Sequence, residues 1–239
     1  MQDGEILIVK NVSHEGPGLF EPVLKEQALQ ARVIDLERGE TIPNPADFRA
    51  MIVLGGPDSA NDPNEKILLE TDKVTQALSA GIPYLGICLG LQILVKAAGG
   101  KVVKNPVPET GFWDEEGRVY RVEMTEEGLQ DTVFGKIGTA FEIFHIHGET
   151  VELTPAMALL GTGKLCKNQI VRVGANAYGM QGHMELTLPM LREWIQSSPE
   201  LRGANGPQIV AHFYRVLKEY TLRGKTLIRN FLETTGGLA

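Results

Sequence analysis

Cysteine is almost absent from this chain: two residues, Cys88 and Cys166, among 239. That excludes a disulfide-stapled secreted module and points to a reducing compartment, with the cytoplasm as the expectation. No apolar run approaches the ~20 residues of a membrane-spanning helix. The opening MQDGEILIVK has no basic stretch leading into an apolar one, so neither a membrane partner nor a secretory signal is expected. Basic charge is also short. Thirty acidic against 23 basic side chains leave a net charge of -7, the wrong sign for a nucleic-acid partner. What is present, 43% hydrophobic and 22% charged, is ordinary for a soluble globular protein. The length fits one large domain better than two. No linker, repeat or low-complexity tract marks a boundary. The expected organisation is one domain over 1–239, with a helical C-terminal extension over about 187–239.

The first half alternates short aliphatic runs with longer amphipathic stretches. Glu5–Val9, Arg32–Leu36, Ala50–Leu54 and Ile82–Ile87 read as strands, with Pro83 confined to the start of the fourth. Helices are expected between them and from about Leu89 to Ala98, stopping at Gly99-Gly100. Strand–helix alternation implies a parallel sheet with helices on both faces. Val119–Val122, Ala158–Leu160, Gln169–Val173 and Ala177–Met180 read as short strands separated by turns, an antiparallel extension of that sheet. From about Pro207, two apolar sets on either side of Gly224 suggest an amphipathic helical pair packed on the domain. A partner-docking or dimer surface is the sharper alternative, and a homo-oligomer stays open.

The most informative segment is Gly86-Ile87-Cys88-Leu89-Gly90-Leu91-Gln92. A strand ends, one reactive side chain appears, and a helix begins at once, the sulfur version of a nucleophile elbow. Glycines two residues to either side let strand and helix approach closely. Cys88 then lies at the carboxyl end of the sheet and the amino end of a helix, where unpaired N–H groups favour thiolate. The competing reading, a buried packing cysteine, does not explain the paired glycines. A thiolate nucleophile needs a proton acceptor that later becomes a donor. His183 and Glu185, two apart, share a face of an extended segment, so the carboxylate can hold one imidazole nitrogen and free the other for sulfur.

These motifs resemble the class I (triad) glutamine amidotransferases, particularly the glutaminase domain of GMP synthase. The family carries G-x-C-x-G-x-Q, a later G-M-Q-x-H-P-E and an upstream G-G-P turn. Here they are Gly86–Gln92, Gly179–Glu185 and Gly55-Gly56-Pro57, with His183 lying 95 residues after Cys88. The resemblance covers roughly residues 5–195. It implies an open, mostly parallel flavodoxin-like α/β sheet with an antiparallel extension. It also implies attack by Cys88 on the glutamine carboxamide, an oxyanion hole from the N–H groups of Gly56 and Leu89, and His183 oriented by Glu185. Gln92 and the segment Ile146, His147, Gly148 would bind the substrate. No cofactor or metal is implied. The implied partner is glutamine or another γ-glutamyl small molecule, together with a separate synthase subunit that takes the ammonia.

Two departures stand out. The family proline between His and Glu is Met184, and the residue before His183 is Gly182, which could leave room for a bulkier leaving group. No synthase-type domain is expected within the chain. Gly161-Thr162-Gly163-Lys164 is followed by Leu165 and does not complete a Walker loop. The alternatives are therefore a stand-alone hydrolase of γ-glutamyl compounds and a catalytically silent regulatory or binding domain. Among the smaller signals, His145, His147 and His183 could in principle converge on a metal, although the chemistry needs His183 as a base. Cys166 reads as a loop thiol, and His14 and His212 as isolated surface or packed residues. Trp113–Gly117 reads as an acidic loop able to rim the site.

Overall fold

The computed structural model describes residues 4–235; the remaining ends of the single domain expected over 1–239 lie outside the described residues. The first half runs β1 (Ile6–Lys10), α1 (Phe20–Glu26), β2 (Ala31–Asp35), β3 (Ala50–Val53), α2 (Glu65–Ser79), β4 (Tyr84–Ile87) and α3 (Leu89–Ala97). Then come β5 (Lys101–Gly111), β6 (Arg121–Met124), α4 (Glu126–Gln130), β7 (Ala140–Glu142) and β8 (His145–Glu152). β9 (Met157–Thr162), β10 (Ile170–Val173), β11 (Ala177–Met180), α5 (Leu188–Ser197), α6 (Pro199–Gly203) and α7 (Gly206–Thr234) complete the chain.

Nine strands form one sheet in the order β2-β1-β3-β4-β11-β10-β9-β6-β7, and β5 pairs with β8 in a separate antiparallel ribbon. The aliphatic runs behave as strands covered on both faces. Ile6 and Ile8 of β1 face the core beneath α1, α5 and α7, while Leu7 and Val9 face the core beneath α2 and α3. This is the expected mixed α/β architecture with an antiparallel extension.

Three expectations change. β11 is the fifth parallel strand, paired with β4, and not part of the antiparallel extension, which is β10-β9-β6-β7. The β5–β8 ribbon escapes a hydrophobicity reading because β5 carries Pro106 and Pro108 and β8 opens His-Ile-His-Gly. Finally, the expected helical pair is one helix. α7 runs unbroken for 29 residues, capped by Asn205, whose Oδ1 accepts from the Gln208 N–H at 3.2 Å. Gly224 does not break it. A Cβ there would strike the Met184 carbonyl oxygen, so the glycine marks where α7 meets the segment after β11. Glu26 of α1 ties the pair of helices together through Lys225 at 2.7 Å and Arg229 at 2.6 Å. No helix among the described residues is long and apolar enough to cross a membrane.

An acid also lies in the core between α2 and the G-G-P turn. Glu70 of α2 is fully buried; its Oε1 accepts from Asn11 Nδ2 at 3.1 Å, and its Oε2 has no partner among the described residues. Burial pushes its pKa up to about 7, with the Asn11 hydrogen bond and Lys66 opposing the rise.

Two outcomes follow from this packing. Ala at an exposed helix glycine normally adds ~1 kcal/mol of stability. Gly224→Ala should instead lose ~2 kcal/mol in urea unfolding, because the new methyl meets a backbone carbonyl; a gain would remove α7 from this position. Glu70 prefers its proton in the folded state, so its ionisation costs stability as pH rises from the unfolded pKa through about 7. Thermal melts should show Glu70→Gln gaining ~2–3 kcal/mol on the wild type between pH 5 and pH 8. A constant difference across that range would contradict the assignment.

Candidate active site

The β4–α3 junction builds the site. Cys88 has φ 52° and ψ -106°, a conformation that L side chains rarely adopt. It is sustained from both sides. A Cβ on Gly86 would collide with the Gly90 backbone, and one on Gly90 with the Val53 carbonyl, so only glycine lets β4, α3 and β3 approach this closely. The Tyr84 hydroxyl donates to Gly90 O at 2.8 Å, and Cys88 N–H donates to Met180 O at 2.8 Å. The second bond joins the end of β4 to the end of β11, just before His183.

His183 is buried and held on several sides. Its Nδ1 is 2.7 Å from Glu185 Oε1. Its N–H donates to Phe144 O at 2.8 Å, and its carbonyl accepts from the Tyr220 hydroxyl of α7 at 2.6 Å. The Trp194 ring meets the imidazole edge-on, 4.9 Å between centroids. Among the described residues Nε2 has no hydrogen-bond partner. Burial opposes a charge on this ring. Glu185 and the Cys88 sulfur nonetheless hold its pKa well above the ordinary imidazole value. A Cβ built on Gly55 would lie 3.0 Å from His183 Cε1 and 3.6 Å from Cys88 Cβ, so both residues crowd one spot beside the G-G-P turn.

Leu89 is the first residue of α3, where an N–H has no intrahelical acceptor. Gly56 packs on Asn11, the residue that also bonds Glu70 and the Leu54 carbonyl, so a buried polar pair underlies this turn. Gln92 is buried at the floor, its Nε2 3.4 Å from Glu149 O and 3.5 Å from Gln181 Oε1. Cys88 Sγ lies 3.9 Å from Ile146 O and 3.6 Å from Gln181 Nε2. Cys88, His183, Gly56, Leu89, Gln92 and Ile146–Glu149 thus border one cavity of about 600 Å³.

Several expectations are corrected at the level of the side chain. His147 lends this cavity little of its imidazole, which is turned inward: Nδ1 is 2.9 Å from Glu149 O, and Nε2 is 3.0 Å from Glu109 Oε2 and 3.2 Å from His145 Nδ1. The three histidines do not converge on one point. The group of potential ligand atoms among the described residues is instead Glu109, His147 and Cys166, all buried and already hydrogen-bonded. Cys166 is not an open loop thiol. It is fully buried against Thr150, and burial pushes its pKa up to about 11. Gly182 leaves no room for a substrate, because a Cβ there would lie 2.7 Å from Ile143 and 2.9 Å from His145. The Trp113–Gly117 turn lies away from the main cavity, over a smaller one shared with His212 and Arg215 of α7. His212 is packed between Phe112 and Trp113 and bonded to Glu142.

His14, read from sequence as isolated, follows β1 and borders the cavity with Glu15 and Ser197–Glu200, to which sequence reading assigned no role. Their only signal was position, since loops after parallel strands gather at one end of the sheet.

A family model for class-I glutamine amidotransferases matches residues 23–193. The glutamine amidotransferase-like protein YfeJ of Salmonella typhimurium is 32% identical over 179 residues, 72% of each chain. The glutamine-hydrolysing GMP synthase of Paraburkholderia phytofirmans is 29% identical over 142 residues, 58% of this chain and a quarter (25%) of that protein. Among solved structures, a Thermotoga maritima glutamine amidotransferase shares the fold with a TM-score of 0.86 at 23% identity, covering 98% of this chain and 100% of that one. A Methylobacillus flagellatus protein of the same description scores 0.78 at 22%, covering 96% and 94%. This chain belongs to the class-I glutamine amidotransferase family, related to the glutaminase portion of GMP synthase.

Proposed function

We propose that this chain hydrolyses the side-chain amide of a γ-glutamyl substrate through a thioester on Cys88. The observation that carries the reading is a buried imidazole, bonded to Glu185 through Nδ1 and unpartnered at Nε2, beside a cysteine held at positive φ. The Cys88 thiolate attacks the amide carbon. The N–H groups of Gly56 and Leu89 take the oxyanion, and fixed donors of this kind are typically worth ~3–4 kcal/mol each. His183 gives its proton to the departing nitrogen as the C–N bond breaks. It then takes one from water, which cleaves the thioester and releases glutamate. Glu185 keeps the ring in the required tautomer, and Tyr220 and Trp194 hold its position. Gln92 and the main chain of Ile146–Gly148 hold the γ-glutamyl portion. No metal or cofactor takes part in this reading. It requires Cys88 as a free thiol, consistent with a reducing, cytoplasmic setting.

Glutamine as substrate, with ammonia passed to a separate synthase subunit, is the reading that kinship with GMP synthases favours. A stand-alone γ-glutamyl hydrolase is the second, favoured by a cavity of about 600 Å³, a size that takes ligands larger than free glutamine. The intact Cys-His-Glu arrangement weighs against a silent binding domain.

Incubation with a glutamine-mimicking electrophile should add its mass to Cys88 and leave buried Cys166 unmodified; an unlabelled Cys88 overturns the reading. Cys88→Ala should lose ~10³-fold or more in amide hydrolysis. Glu185→Gln should lower kcat ~10²–10⁴-fold with an unchanged fold by circular dichroism. Activity near wild type in either variant would reassign the chemistry.

A further inference from the structure

The cavity is lined by several carboxylates set around the His183 imidazole. Its described lining includes four carboxylates, Glu15, Asp58, Glu149 and Glu200, and no lysine or arginine. Two are already engaged: Asp58 is paired with Lys66, and Glu200 accepts from the Ser198 hydroxyl at 2.7 Å. Glu15 is different. Among the described residues, no hydrogen bond or ion pair reaches its carboxylate. A Cβ on Gly55 would lie 2.8 Å from Glu15 Oε2 and 3.0 Å from His183 Cε1, so the acid stands at the doorstep of the imidazole.

The two walls of the cavity do different work. One is the edge of β8 with Gln92, seen from Ile146 O at 3.9 Å from the sulfur and from Gln92 Nε2 at 3.4 Å from Glu149 O. The other holds His183 and Glu15. In amide cleavage the imidazole hands its proton to the departing nitrogen, so the leaving group occupies the His183 side. Glu15, crowded against the same spot as that imidazole, is therefore placed to meet what leaves.

We propose that the site selects γ-glutamyl amides whose leaving amine carries a positive charge, and that the Glu15 carboxylate reads that charge. The inference rests on the hydrolase reading above and names its substrate class. The step is the one already written. The sulfur–carbon bond forms as the carbon–nitrogen bond breaks, the His183 proton goes to the released amine, and water returns the acyl group as a carboxylate. A cationic tail on that amine meets Glu15 instead of bulk water.

Burial supports the assignment, raising the Glu15 pKa to about 7, with His183 opposing and Glu185 adding to the rise. A carboxyl that burial makes reluctant to ionise gains most from a cation that enters with the substrate. The net charge of -7 draws such substrates towards the surface.

The test uses three γ-glutamyl amides of matched length, with 1,4-diaminobutane, butylamine and 4-aminobutyrate as leaving amines. Each is assayed with the full chain by amine release. The wild type should favour the diamine over the neutral amide by ~10-fold or more in kcat/KM, the equivalent of one ion pair kept from water, with the anionic amide poorest. Glu15→Gln, nearly isosteric, should compress the three rates towards the neutral value while Cys88 still takes up the glutamine-mimicking label. Equal rates for the three amides in the wild type, or a preference that survives in Glu15→Gln, overturn the inference and leave the hydrolase reading standing. Inertness to all three and to glutamine, with Cys88 unlabelled, overturns both.

Discussion

Everything in the site hangs on one backbone turn with no room for side chains around it. Cys88 is forced to positive φ because β4 must end and α3 begin within a single residue. The strain is tolerated because Gly86 and Gly90 let three backbones touch, and because the Tyr84 hydroxyl holds Gly90 from outside the turn. Gly179 extends the same logic to the next strand. It pairs with Gly86 in register and gives Leu91 of α3 its space. The turn does more than expose a sulfur. Through Cys88 N–H and Met180 O it joins the strand that carries the thiol to the strand that delivers the imidazole.

His183 is placed by groups far apart in sequence. Its side chain answers to Glu185, its main chain to Phe144 and Tyr220, and its ring edge to Trp194. Two of these come from the helices after residue 187. α7 is thus tied into the site as well as into the core, and Gly224 lies where that helix crosses the Met184 backbone. This support holds the imidazole in one orientation beside Cys88.

Around this centre the fold keeps several carboxyl groups under conditions they would not choose. Glu70 lies beneath the G-G-P turn, and Glu15 faces the imidazole, each with its pKa raised to about 7 by burial. Glu109 is shared between His147 and Gln169 in the β5–β8 ribbon. Burial keeps His145 beside it neutral, its pKa well below the usual value, with His147 and His183 adding to the effect. Polar groups of this kind add little to net stability. Of these, Glu15 and His147 border the cavity, and the others lie buried behind it.

The strand–helix alternation, the elbow and the His-x-Glu pair were legible because each is local. Apolar runs, glycine spacing and two-residue periodicity act within a few positions of the chain. The β5–β8 ribbon was not, since its strands are held by cross-strand partners such as Glu109 and His147 and carry little apolar alternation. Nor could Gly182, Gly224 or Glu15 be read correctly in isolation. The space beside a glycine and the neighbours of a carboxylate are set by segments tens to hundreds of residues away. Chain order alone singled out Cys88, His183 and Glu185 as candidates, because the elbow and the His-x-Glu pair are local patterns. Folding settled which of them face the cavity, because that depends on how loops from separate strands converge at one end of a sheet.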